Sequence, residues 1–196
     1  MNELSETHSP TFERLPLFLD LAGRRVLVVG GGPVACSKLQ VLKATGAAIT
    51  IVAPHVLPDA ALPGVQIHRR SFRDRDLDGV WLVVAAATAR VNAQVARTAG
   101  RRHVFVNAVD DPSNASAYFG GTIRRGDITV AISSGGRAPG LVRLLREALE
   151  HVVPEDIDKW LAIAKAERDQ WKRNKTRMSD RTPLLAAAIR SLYPDT

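Results

Sequence analysis

Cysteine is almost missing from this chain of 196 residues: Cys36 stands alone, so no internal disulfide can form and a cysteine-based metal cluster is excluded. No apolar run is long enough to cross a bilayer, and no membrane partner is expected. The N-terminus carries Glu3, Glu6 and Glu13 and lacks the basic start and apolar core of a secretory signal. Aromatic residues make up only 5% of the chain and are not interleaved with basic ones, which argues against nucleic acid. No H-x-x-H pair or carboxylate cluster suggests a dedicated metal site, and His103 and His151 read as structural. Internal repeats are missing as well. These absences point to a cytoplasmic globular protein.

What is present begins with charge. Lys and Arg number 27 against 20 Asp and Glu, a formal net charge of +7. Such an excess fits a solvated basic surface, and it equally suits a small substrate bearing several carboxylates.

Short apolar runs alternate with helical spacing along the first two-thirds of the chain. Residues 1–13 are polar and read as a flexible N-terminus. Residues 15–25 (LPLFLDLAGRR) form a short strand or an apolar lead-in closing at Gly23. Val26–Val29, Ala48–Val52, Val65–His68, residues 80–86 and Val104–Val109 read as strands, with helices over 33–45 and 91–99. Residues 72–77 are a loop or a short helix. This alternation predicts a parallel α/β sheet with right-handed crossovers. The rhythm then changes to two β segments, 120–124 and 127–132, and to helices over 139–150, 155–175 and 182–192. The expected plan is an α/β domain at 14–112, a mixed α/β segment at 113–150, and a C-terminal helical region at 151–196. A mostly helical tail of that size has little core of its own, so packing against another subunit is expected.

One motif carries chemistry on its own. Gly30-Gly31-Gly32-Pro33-Val34-Ala35 satisfies G-x-G-x-x-G/A between a strand and a helix. Gly30 permits the tight turn, Gly32 lets a pyrophosphate approach the backbone, and small Ala35 lets the helix pack closely on the sheet. The helix N-terminus offers unpaired N–H groups to phosphates. A standard NAD site would add Asp or Glu at the end of the second strand, but that strand ends in Ala53-Pro54-His55. No arginine adjoins it in sequence to receive a 2′-phosphate either.

Taken together, LPLFLDLAGRRVLVVGGGPVACSKL, TIVAP, FVNAVDDP and ASAYFGGTIRRGDITVAISSGGRAPGLVRLLREALE resemble the precorrin-2 dehydrogenase module of siroheme biosynthesis, which also forms the N-terminal half of multifunctional siroheme synthases. The resemblance covers roughly residues 14–155; the fused methyltransferase domain has no counterpart here. It implies a Rossmann-like NAD-binding domain at 14–112, a mixed α/β dimerisation and substrate segment at 113–150, and NAD-dependent dehydrogenation of a polycarboxylated tetrapyrrole, precorrin-2, to sirohydrochlorin by a homodimer. In some members the same site also inserts ferrous iron, as a ferrochelatase, and in others it does not. Within that family the Ala-Pro end of the second strand is usual.

By position in the resemblance, Pro33, Val34, Pro54 and His55 fall where the family contacts NAD, and Ala86 lies in the loop after the fourth strand. Asp110 matches the family's functional aspartate, and a carboxylate at a strand's carboxyl end suits the proton loss that accompanies hydride loss. Read without the resemblance, Asp110-Asp111-Pro112 is simply a polar turn. Asn107 serves either a structural hydrogen bond or the substrate. Ser134 and Gly135, within Ser133-Ser134-Gly135-Gly136, form either an anion-binding loop or a plain helix cap. Arg137, Arg143 and Arg146 could pair with acetate and propionate groups, though Arg143 and Arg146 share a helical face, where an exposed salt-bridging role is the commoner outcome. The sequence departs from the family at Ala86-Ala87-Thr88-Ala89-Arg90, which lacks the usual acids, and at Cys36-Ser37-Lys38, which lacks an arginine. The alternative from another class is a non-catalytic NAD-sensing Rossmann module, which would need neither Asp110 nor the SSGG segment.

Overall fold

The computed structural model describes residues 14–193, so the expectation for residues 1–13 lies outside the described residues. The chain divides into two compact units between Phe119 and Gly120.

Five parallel strands organise the first unit: β1 (Arg25–Val29), β2 (Ala48–Val52), β3 (Gln66–His68), β4 (Leu82–Ala85) and β5 (Phe105–Ala108), in the spatial order β3-β2-β1-β4-β5. Helix α1 (Pro33–Lys43) follows β1 and α2 (Ala89–Arg101) follows β4. Along β1 the side chains alternate between two apolar layers. Val26 and Val28 pack with Leu39 and Leu42 of α1, while Leu27 and Val29 pack with Val95 and Ala99 of α2. A strand covered on both faces must be apolar throughout, and for that reason β1 and β4 read as unbroken runs rather than alternating ones. The loop or short helix expected at 72–77 is a single 3-10 turn at Asp74–Leu77, its first turn held by Arg70, which donates twice to Asp76 at 2.8 and 2.7 Å.

The lead-in at 15–25 is not a strand. Leu15, Leu17 and Phe18 are exposed, and burial begins at Leu21, which packs beside α1.

The second unit holds the antiparallel hairpin β6 (Gly121–Arg125) and β7 (Ile128–Ile132), followed by α3 (Pro139–Val152), α4 (Ile157–Asn174) and α5 (Met178–Arg190). Arg125 pairs with Ile128, leaving a two-residue loop whose first member, Gly126, has φ +51°. This is the conformation that glycine adopts without steric cost in tight hairpins. Helix α5 starts at Met178, earlier than the sequence suggests, and carries Pro183 inside it. Proline removes only one N–H, and so close to the start of the helix this costs one backbone bond rather than the helix.

Candidate active site

The glycine turn is shaped by what presses on it. Gly30 has φ +126°, and a side chain there would collide with the Ala86 carbonyl. The strands are pinned at this point, with Gly30 N–H donating to Val52 O (3.1 Å) and Ala86 N–H to Val29 O (2.8 Å). A side chain at Gly31 would strike the His55 carbonyl and Val56 Cα, while Leu57 N–H donates to Gly31 O at 3.0 Å. The loop leaving β2 therefore lies directly on the glycine turn. Gly32 is different: a Cβ there would meet only open space.

Gly32 caps α1 without a side-chain bond, and Pro33 fills the first helical position. Cys36 N–H closes the first turn on Gly32 O at 3.1 Å. Among the described residues no protein acceptor meets the N–H of Val34 or Ala35. Free donors, a positive helix end and open space at Gly32 fit the pyrophosphate of a dinucleotide, held by Gly32, Val34 and Ala35. The turn lies where β1 and β4 run side by side and the chain order reverses, the usual ligand crevice of an open parallel sheet.

Asn92 is a residue the sequence reading did not single out. It is buried on α2, and its Oδ1 accepts the Ala87 N–H at 3.0 Å, which fixes the Ala86–Thr88 loop against the cleft. The sequence places Asn92 in a helix over 91–99, but its target lies five residues back on a loop.

The two aspartates after β5 part company. The Asp111 carboxylate accepts from Ser113 Oγ (2.6 Å) and from Asn114 Nδ2 (2.7 Å) and N (3.3 Å), capping its own turn. Those bonds, Ser113 first and then Asn114, hold its pKa below the ordinary carboxylate value. Asp110 is exposed, with φ +55°, and its carboxylate makes no hydrogen bond or ion pair with a described residue. The left-handed conformation, tolerated by Asp, turns it out at the carboxyl end of β5, on the same sheet edge as the glycine turn. Asn107 is buried beneath the following segment, where its Nδ2 donates to Ala117 O at 3.0 Å and its Oδ1 has no partner.

In the second unit the SSGG loop closes on itself. Ser133 Oγ accepts from Gly135 N–H (3.1 Å) and Ser134 Oγ from Ala138 N–H (3.0 Å). Gly135 and Gly136 both have positive φ, +65° and +79°. Arg143 pairs with Glu147 and Arg146 with Glu150 on their own helix, whereas Arg137 has no carboxylate partner among the described residues. His151 Nδ1 lies 2.7 Å from Glu147 O. Among the described residues no group of three or more His, Cys, Asp or Glu could hold a metal, and no helix is long and apolar enough to cross a membrane.

A family model described as "Putative NAD(P)-binding" matches residues 17–121. The chain belongs to this family. The match begins in the lead-in and ends at the first residue of β6, so the NAD(P)-binding family model spans the glycine turn, the Ala86 loop, Asn107 and Asp110. Over 171 residues the chain is 45% identical to siroheme synthase 2 of Aeromonas hydrophila subsp. hydrophila, covering 85% of this chain and 36% of that protein. It is 39% identical over 184 residues to the siroheme synthase of Zymomonas mobilis subsp. mobilis, covering 91% of this chain and 39% of that protein. The chain thus spans under two-fifths of the length of these curated relatives. Among solved structures, SirC, a precorrin-2 dehydrogenase, is 28% identical with a TM-score of 0.69, covering 90% of this chain and 89% of that one. The Rossmann-like α/β fold is therefore shared beyond the cofactor domain alone.

Proposed function

We propose that this chain is an NAD-dependent precorrin-2 dehydrogenase acting in siroheme biosynthesis. The observation that carries the reading is the likeness to SirC, which runs through 90% of this chain rather than stopping at the dinucleotide-binding part. The relatives named siroheme synthase support the same pathway.

In this reading Gly32 leaves room for the pyrophosphate, Gly30 lets the turn close beneath the Ala86 carbonyl, and the N–H groups of Gly32, Val34 and Ala35 hold it, with Pro33 setting the start of the helix. Ala86 forms one wall of the cleft through its main chain, and Pro54 and His55 face the ribose. A bound nicotinamide supplies the hydride acceptor. Removing a hydride from the macrocycle leaves a proton to be shed from a neighbouring position, and the Asp110 carboxylate takes it and passes it to water. Its freedom from local partners keeps it available for this, while Asp111 is occupied by its turn. Asn107 in the first unit is proposed to meet the substrate's polar edge; taken by itself, the second unit offers Ser134, Gly135 and Arg137 for carboxylates, with Arg137 better able to do so than Arg143 and Arg146, which are already paired. Segment 113–150 would serve dimerisation and substrate, and 151–196 would form the helical region. A homodimer through the exposed Leu141, Leu144 and Leu145 of α3, a cytoplasmic location, and ferrous iron as a second substrate complete the proposal.

The test is an anaerobic absorbance assay with enzymatically made precorrin-2 and NAD. Growth of the sirohydrochlorin spectrum is expected; folded protein that binds NAD yet leaves precorrin-2 unchanged would favour the NAD-sensing module instead. Adding ferrous iron to sirohydrochlorin, with the uncatalysed rate as background, decides the chelatase activity.

A further inference from the structure

A standard NAD site carries a carboxylate at the end of the second strand, which binds the ribose hydroxyls and repels a 2′-phosphate. Here that place is taken by Ala53-Pro54-His55, and the sheet brings in a cation from a neighbouring strand. Strand β3 lies parallel to β2 with Val52 opposite His68. The His68 carbonyl accepts two N–H groups, from Ala53 at 3.2 Å and from Arg70 at 2.9 Å. The second bond turns the chain at Arg69, so Arg69 stands at the apex of a three-residue turn fastened to the end of β2.

The two arginines of this turn have different fates. Arg70 is spent on Asp76 in a two-pronged pair. Arg69 is exposed and makes no hydrogen bond or ion pair with any described residue. On the other side of the β2 end, His55 is exposed and its backbone lies against Gly31 of the phosphate turn. The one carboxylate of the loop leaving β2, Asp59, comes four residues later, on a short 3-10 turn.

We propose that Arg69, with His55, forms an anion subsite for the 2′-phosphate of the cofactor's adenosine ribose, so that this cleft accepts NADP as well as NAD. The arginine that sequence order lacks beside the second strand is supplied by strand register. The inference rests on the family's NAD(P) cleft and stands apart from the tetrapyrrole reading. A guanidinium with no competing carboxylate gives a phosphate charge-assisted bonds that a bare hydroxyl cannot match.

Isothermal titration of the full chain with NAD and with NADP tests this without turnover, with adenosine 2′,5′-bisphosphate and 5′-AMP as competitors. NADP is expected to bind at least as tightly as NAD, and the bisphosphate to compete better than 5′-AMP. Arg69→Ala should weaken NADP about tenfold and NAD by less than about twofold, and His55→Ala should act in the same direction. Because Arg69 is exposed and unengaged, its loss should leave the thermal midpoint unchanged, which circular dichroism checks. NADP binding much weaker than NAD, or Arg69→Ala weakening both alike or neither, overturns the proposal. Binding of neither dinucleotide to folded protein overturns it together with the cofactor cleft. Both dinucleotides binding with precorrin-2 left unoxidised would overturn the enzyme reading and leave the subsite standing.

Discussion

Helix α1 of the first unit turns Leu39 and Leu42 wholly inward, whereas α3 of the second turns Leu141 and Leu144 outward, 53% and 64% exposed. Apart from Ile123, every buried apolar side chain described belongs to the first unit. The difference follows from architecture. A five-stranded parallel sheet offers two faces, and α1 and α2 with their flanking loops cover both. A two-stranded hairpin offers far less to bury, and a helix lying on it keeps a second stripe free. On α3, Val142 packs against Gly121 of β6, while Leu141, Leu144, Leu145 and Val152 recur on another face at helical spacing. The first unit is built to hold its shape around a cleft; the second leaves an apolar stripe on α3 that the proposed homodimer would cover.

The largest expected effect tests whether chemistry belongs to the first unit. Asp110→Asn should cut turnover of precorrin-2 by about 10²–10⁴-fold, the usual worth of a positioned acid–base group. Dinucleotide affinity and the unfolding midpoint should stay at wild-type values, because the carboxylate has no described partner to lose. A variant that turns over normally would move the proton-accepting role elsewhere.

Next in size is a pair of leucine truncations, one from each unit. Leu39→Ala removes a fully buried side chain and should lower unfolding stability by about 2–5 kcal/mol. Leu144→Ala should leave the monomer's stability within about 0.5 kcal/mol but weaken self-association, read by analytical ultracentrifugation across a dilution series. Should Leu144→Ala destabilise as strongly as Leu39→Ala with no change in association, the contrast between the units would fail.

The same contrast explains what could be read from the residues alone. Strands buried on both faces announce themselves as apolar runs, and the glycine turn announces itself because backbone approach admits no side chain at Gly30 or Gly31. What stayed hidden depends on register or on competition between neighbours. Asp110 and Asp111 are chemically identical in sequence, and only the bonds from Ser113 and Asn114 show which is occupied. Arg69 joins the end of β2 through strand pairing across residues 53–68, and Asn92 reaches a loop that precedes its own helix. The salt-bridging face expected of Arg143 and Arg146 is what Glu147 and Glu150 provide, and it leaves Arg137 apart from them. Local spacing reveals elements and turns; it does not say which of several like groups is left free.

The smallest expected effect is an acid sensitivity shared by both units despite their unequal cores. Asp111 in the first unit is held below its ordinary value of 3.8 by Ser113 and Asn114. Asp156 in the second is held below the same value, chiefly by Lys159 and further by the Tyr193 hydroxyl. A carboxylate with a lowered folded pKa stabilises fully above its unfolded value, and that contribution is lost as pH falls through the folded one. Both groups are only partly buried and well reached by solvent, so each effect is small and confined to the acid side. Urea midpoints at pH 7 and pH 3 should therefore converge slightly in Asp111→Asn and in Asp156→Asn, by lowering the pH 7 value in each. A pH 7 midpoint unmoved in Asp111→Asn would show that the turn is held by Ser113 and Asn114 backbone geometry without the charge. A shift in Asp156→Asn far exceeding that in Asp111→Asn would show that the second unit, with its smaller core, leans on its surface pairs.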